Sequence, residues 1–156
     1  MFAVQRREIL RPVGDLLLVR QLPAHAGLCM NILRSVLVVV AGYLVFALPA
    51  FAVFRLSGRP PHAPAPLSFM LLSYAVGMSS AFIGGYLAAR LARSHRLLHG
   101  AAVCAVLVLG AAGSLLSTVG SGAVWSQVGA LVLMAPCALL GGWLGARQHA
   151  QPSPTS

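Results

Sequence analysis

Two histidines four residues apart, His95 and His99, have the spacing of a ligand pair. Residues i and i+4 share a helix face, and such a pair can hold zinc or haem. The pair shares a face only if a helix begins before His95. No Asp, Glu or Cys stands close in sequence to complete a site, so two imidazoles in interfacial water are expected, with no metal and no cofactor. Acid–base chemistry is harder still to assemble. The acids of the chain are Glu8 and Asp15, both near its start. A small proton-coupled exchanger needs a carboxylate at membrane depth, and every apolar stretch here lacks one. Cys29, Cys104 and Cys137 form no close dithiol, which thiol–disulfide catalysis requires, and read as small apolar residues. Ser114, Ser117, Thr118, Ser126 and Gln127 have two readings. They could line a small cavity, or act as interhelical glue worth about 0.6 kcal/mol each; glue is the expectation. No nucleophile stands paired with a base, so the chain is expected not to be an enzyme.

The elements that carry these residues follow from composition. Of 156 residues, 58% are hydrophobic and 8% charged, and mean hydropathy is +0.85. Soluble domains carry roughly 25% charged residues, so the expected solvent is hydrocarbon. The net charge of +9 does not signal nucleic-acid binding, because the arginines stand at the ends of apolar runs and form no continuous patch. A crossing helix needs about 20 apolar residues. Four segments qualify: Leu33 to Phe54, Ser68 to Ala89, Leu97 to Val119 and Val124 to Ala146. The fold class expected is all-α, a four-helix transmembrane bundle.

The connections agree with four crossings. Pro60, Pro61, Pro64 and Pro66 make the first an extended loop, Arg90 to Arg96 is a short basic turn, and Gly120-Ser121-Gly122 a tight one. Short links make consecutive helices antiparallel neighbours. With the N-terminus inside, nine arginines fall on the cytoplasmic side and two, Arg55 and Arg59, outside. That bias predicts N-in, C-in topology.

Residues 1–29 mix charge with a short apolar run, Leu16 to Val19, too short to cross. They are expected to be a cytoplasmic segment, either an interfacial amphipathic helix or an over-long translation start, since Met30 stands just before the first span. Ala50-Phe51-Ala52 resembles a signal-peptidase site, but the apolar run continues to Phe54 and suits a span better. Residues 30–147 form the expected membrane domain, and 148–156, with Pro152 and Pro154, a disordered tail.

Residues 81–90, AFIGGYLAAR, and 138–147, ALLGGWLGAR, agree at six of ten positions. Two repeated helical hairpins in parallel topology are expected, with convergence on an easy helix ending as the other reading. The second helix has a face of small residues. Ser73, Gly77, Ala81 and Gly85 recur every four residues, Ser80, Gly84 and Ala88 fall beside them, and the face spans an arc of about 140°. The fourth has a shorter version in Ala138, Gly142 and Ala146, with Gly141 and Gly145 alongside. Lipid gives no hydrophobic drive for helix association, so small residues that let backbones approach are the expected packing surfaces, within one chain rather than between chains. Pro136 is expected to kink the fourth helix and free the Val132 carbonyl, and Pro49 to bend the first. Tyr86, Arg90, Trp143 and Arg147 are expected interface anchors, an aromatic belt beside positive-inside charge, with capture of an anionic headgroup as the other reading.

At GGYLAARLA (84–92), His99-Gly100 and APCALLGGWLGAR (135–147), the chain resembles a group of small, uncharacterised bacterial four-helix integral membrane proteins. The likeness covers roughly Met30 to Arg147 and implies a fold and a bacterial cytoplasmic-membrane location, with no activity and no functional residue. The expected function is that of a non-enzymatic structural or accessory subunit in contact with membrane lipids. A small-solute permease or channel, assembled as a homo-oligomer, is the alternative.

Overall fold

The structure is a computed structural model that describes residues 5–118 and 124–148, with side chains from residue 30. The expected turn at Gly120-Ser121-Gly122 and the expected tail beyond residue 148 lie outside the described residues. The described chain is helical without strands. Helix α1 runs Gln5–Ser57, α2 Leu67–Leu91 and α3 Arg96–Ser117. The last stretch is α4 (Trp125–Gly129), a π-helical turn (Ala130–Met134) and α5 (Ala135–Arg147). Four stretches are long and apolar enough to cross a membrane: Met30–Ser57, Leu67–Leu91, Arg96–Ser117 and Trp125–Arg147. Apart from the start of the first, where α1 continues back to Gln5, each end lies within three residues of the expected one. Hydrocarbon offers no partner for backbone N–H and C=O, so an apolar run of this length must close its own hydrogen bonds as a helix.

Contacts divide the chain into two units, residues 1–36 and 37–156. The first is helical from Gln5, so helix begins well before Met30, where the sequence suggested a boundary. The second holds the packed bundle.

Local chemistry ends each helix where the sequence allows. Gly58, at φ +64°, turns the chain out of α1, a left-handed conformation that glycine adopts without a Cβ penalty. The proline-rich loop follows, and the Pro66 carbonyl accepts the amides of Phe69 and Met70 to start α2. His95 is left-handed too, at φ 48°, and its carbonyl accepts the amides of Leu98 and His99 to start α3. Helix α3 thus begins at Arg96, and His95 stands outside it.

The bundle is small inside and bulky outside. Its core cluster is Ala81, Ala88, Val103, Leu107, Met134 and Ala138, while Leu37, Leu48, Leu72, Leu109 and Leu140 are exposed. A soluble protein buries its leucines; here hydrocarbon can solvate them, and the interior selects for backbone approach. Helix α2 is the centre. Its Gly84 meets Gly42 of α1 closely enough that a Cβ added at Gly42 would lie 2.8 Å from the Gly84 carbonyl oxygen. On another side, a Cβ at Gly85 would collide with the carbonyl oxygen of Ala138. Pairs Gly77–Met134, Phe82–Gly141 and Tyr86–Gly145 rise together in number, so α2 and the fourth span run parallel. The two repeated decapeptides therefore lie side by side. Helix α3 closes against α5 where Gly100 and Gly142 meet, and a Cβ at Gly142 would lie 2.7 Å from the Gly100 Cα.

Pro136 produces a wide turn before it. The Ala135 amide bonds the Ala130 carbonyl, five residues back, and Pro136 sits in the first turn of α5. A π-turn accommodates a residue that cannot donate and whose ring crowds the carbonyl four residues earlier. It also resets the helix phase. Gly129 and Met134, five apart, would stand about 140° apart on an α-helix. Here both face α2: Gly129 lies against the Tyr74 ring and Met134 covers Gly77.

Candidate functional site

Of the expected packing residues, Ser73, Gly77, Ala81, Gly84, Gly85, Ala138 and Gly142 are buried, whereas Ala146 is half-buried and Gly145 takes the buried position. Gly145 sits where a Cβ would meet the Tyr86 carbonyl oxygen at 2.7 Å, so the fourth helix presents Gly141, Gly142 and Gly145 rather than a strict four-residue repeat. The Ser80 hydroxyl satisfies itself on the Val76 carbonyl at 2.8 Å. The buried Ser73 hydroxyl has no hydrogen-bond partner among the described residues. It borders a cavity of about 110 Å³ shared with Tyr74, Trp125 and Met134.

The four expected anchors form two copies of one arrangement. Arg90 Cζ lies 5.7 Å from the Tyr86 ring centre and Arg147 Cζ 3.9 Å from that of Trp143, each a cation–π contact at i, i+4. Gln148 joins the copies: Tyr86 donates to its Oε1 at 2.7 Å and Arg90 reaches the same oxygen at 3.5 Å. The histidine pair is not brought together as a helical pair. His99 Nδ1 lies 3.2 Å from the His95 carbonyl oxygen, so its nearest partner is backbone.

The opposite end of the bundle is the more organised. The proline-rich loop, expected only to be extended, is fastened to the start of the fourth span. Trp125 Nε1 donates to the Ala63 carbonyl at 3.0 Å, and Ser126 Oγ lies 2.8 Å from the Pro61 carbonyl and 3.0 Å from Gln127 Oε1. Gln127 is buried; its Nε2 stands 2.6 Å from His62 Nδ1 and 3.3 Å from Thr118 Oγ1. With the amide donating, His62 Nδ1 is the acceptor. Trp125 is ringed by Phe54, Phe69 and Tyr74 at centroid distances of 5.8–6.2 Å, and the Tyr74 hydroxyl donates to the Trp125 carbonyl at 3.0 Å. Sequence reasoning saw Ser126 and Gln127 but not His62 or Trp125. Their partners lie 51 or more residues away, beyond any local pattern.

Beneath this latch lies a cleft of about 420 Å³ between α1, α3 and the fourth span. Tyr43, Phe46, Val106 and Leu107 line its deeper part, and His62, Ser114, Ser126 and Gln127 its loop end. Both readings of the polar group thus meet in one place: Ser126 and Gln127 tie chain segments together, and with Ser114 they border a cavity. Chemically the set is quiet. The His62 Nδ1 partner is an amide rather than a hydroxyl, and Ser126 is engaged with a carbonyl and an amide oxygen, so no base stands ready to activate a nucleophile. Among the described residues no three metal-ligating side chains cluster.

These features define a helical bundle with four membrane-length helices. No family model matches the chain, no curated protein matches it, and no solved structure matches it.

Proposed function

We propose that this chain is a multi-pass protein of the bacterial cytoplasmic membrane, N-in and C-in, acting as a non-enzymatic structural or accessory subunit. The observation that carries the reading is where the small-residue faces go. The glycines of α2 and α5 are spent on contacts within one chain, against Gly42, Ala138, Phe82 and Gly100. A pore built by several copies around those same faces would need them free. No span carries Asp, Glu or Lys, which removes the usual relay for coupled transport. Membrane lipids, and either a second copy or another membrane protein, are the partners for the leucine-rich exterior; nucleic acid is not. The resemblance to small bacterial four-helix membrane proteins supports the location and is part of this proposal.

The alternative, a small-solute permease or channel working as an oligomer, is favoured by the 420 Å³ cleft. Flux of small solutes into proteoliposomes separates the two readings, with a Gly85→Leu variant as control. The subunit reading expects no flux above protein-free vesicles and a stoichiometric membrane partner on purification. Flux that the variant abolishes overturns it. Reporter fusions at residues 58 and 148 test topology: the proposal places the first outside and the second inside.

A further inference from the structure

The cleft between α1 and α3 has a shape and a neighbour that together specify a ligand. Its volume, about 420 Å³, falls in the range of roughly 300–1,000 Å³ typical of ligand sites. It is elongated, lined from Tyr43 to Phe51 on α1 and from Val106 to Ser114 on α3, about 12 Å along each helix. Its walls are largely hydrocarbon, with Ala47, Ala50, Gly110, Ala111 and Ala130 leaving the space open. A Cβ built at Gly110 meets nothing within 4 Å, so close packing does not explain that glycine. Of the polar groups at the loop end, His62, Ser126 and Gln127 are occupied with one another and with the Pro61 carbonyl. A polar solute would find few unused donors there, whereas a hydrocarbon chain needs none.

A second hollow of about 330 Å³ adjoins the cleft and shares Phe51 and Pro61 with it. Arg55 and Arg59 line this hollow. Their guanidinium carbons lie over Phe51 at 5.7 Å and Phe69 at 5.6 Å. Residues 30–148 contain no Asp or Glu, so no side-chain carboxylate of the bundle neutralises either arginine. An apolar slot that abuts two cations without a bundle carboxylate is complementary to one kind of molecule.

We propose that the cleft binds the hydrocarbon chain of an anionic amphiphile, whose head sits at Arg55 and Arg59. A free fatty acid and an acidic phospholipid share that chemistry. The site goes beyond the subunit reading and stands or falls independently of it, because its test reads occupancy rather than partner or flux.

The full chain in phosphatidylcholine nanodiscs is irradiated with a trace of diazirine-labelled palmitic acid or, separately, diazirine-acyl phosphatidylglycerol, and the labelled peptides are mapped. Labelling is expected on 43–51 and 106–114, and whichever probe labels names the source. Gly110→Leu, which adds bulk to the cleft wall where a Cβ would meet nothing within 4 Å, should lower that labelling several-fold. Gly113→Leu, on the same helix, outside the cleft lining and with the same open space at its Cβ, should leave it unchanged. Arg55→Gln with Arg59→Gln should weaken capture of the anionic probe about tenfold. Unchanged elution and unfolding temperature keep misfolding apart from loss of the site. Labelling indifferent to Gly110→Leu means ordinary lipid contact and overturns the cleft assignment. Labelling lost in Gly110→Leu but untouched by the arginine changes overturns the anionic head.

Discussion

Gly85 and Gly113 are both helical glycines in apolar sequence, yet their surroundings are opposite. Gly85 stands on the backbone of Ala138, while nothing lies within 4 Å of where a Gly113 Cβ would be. Replacement by alanine should therefore change sign between them. Gly113→Ala gains helix propensity and should stabilise by about 0.5–1 kcal/mol. Gly85→Ala forces α2 and α5 apart and should cost about 1–3 kcal/mol, with Gly85→Leu worse. Unfolding in a denaturing-detergent titration reads both; equal shifts would remove the close-contact account of Gly85. Gln127 is the second residue with a sharp expectation. Gln127→Leu leaves His62 without its amide donor and should loosen the loop over residues 58–66. The cost is about 1 kcal/mol, seen as faster amide exchange at His62 and Ala63 with α2 protection unchanged.

At the scale of elements, what could be read from the sequence was whatever repeats locally. Hydropathy gave the four spans because each is a continuous run, and the face of α2 was legible because Ser73, Gly77, Ala81 and Gly85 keep one spacing. The π-turn was not legible. Pro136 announced a disturbance, but only the partner surface shows that Gly129 and Met134 must face the same way. The loop latch was hidden for a related reason: Trp125, Ser126 and Gln127 find their partners in loop residues far away in sequence. Deletion of Val132, exposed within the π-turn, tests the phase argument. The turn should revert to α-helix, and Gly129, then four residues before Met134, stands about 40° from it and keeps facing Tyr74. In a Trp143→Phe background, Trp125 emission should therefore stay unchanged, because the wide turn absorbs one residue without altering which side faces α2. A red shift, from an opened ring of aromatic neighbours, would contradict the phase argument.

For the whole molecule, the account holds that one chain completes its own bundle. The repeated decapeptides of α2 and α5 meet each other within the chain, and the bulky leucines face outward. The pair Gly77 and Met134 tests this most directly, because the Met134 Cγ lies 3.4 Å from where a Gly77 Cβ would be. Cysteines at these positions approach disulfide geometry. In a background without Cys29, Cys104 and Cys137, Gly77→Cys and Met134→Cys are placed either on one chain or on two co-expressed, differently tagged chains, and membranes are oxidised. The account predicts an internal cross-link at monomer mass when both cysteines share a chain, and none when they are split. A disulfide-linked dimer from the split pair, with no internal cross-link in the double variant, would contradict it.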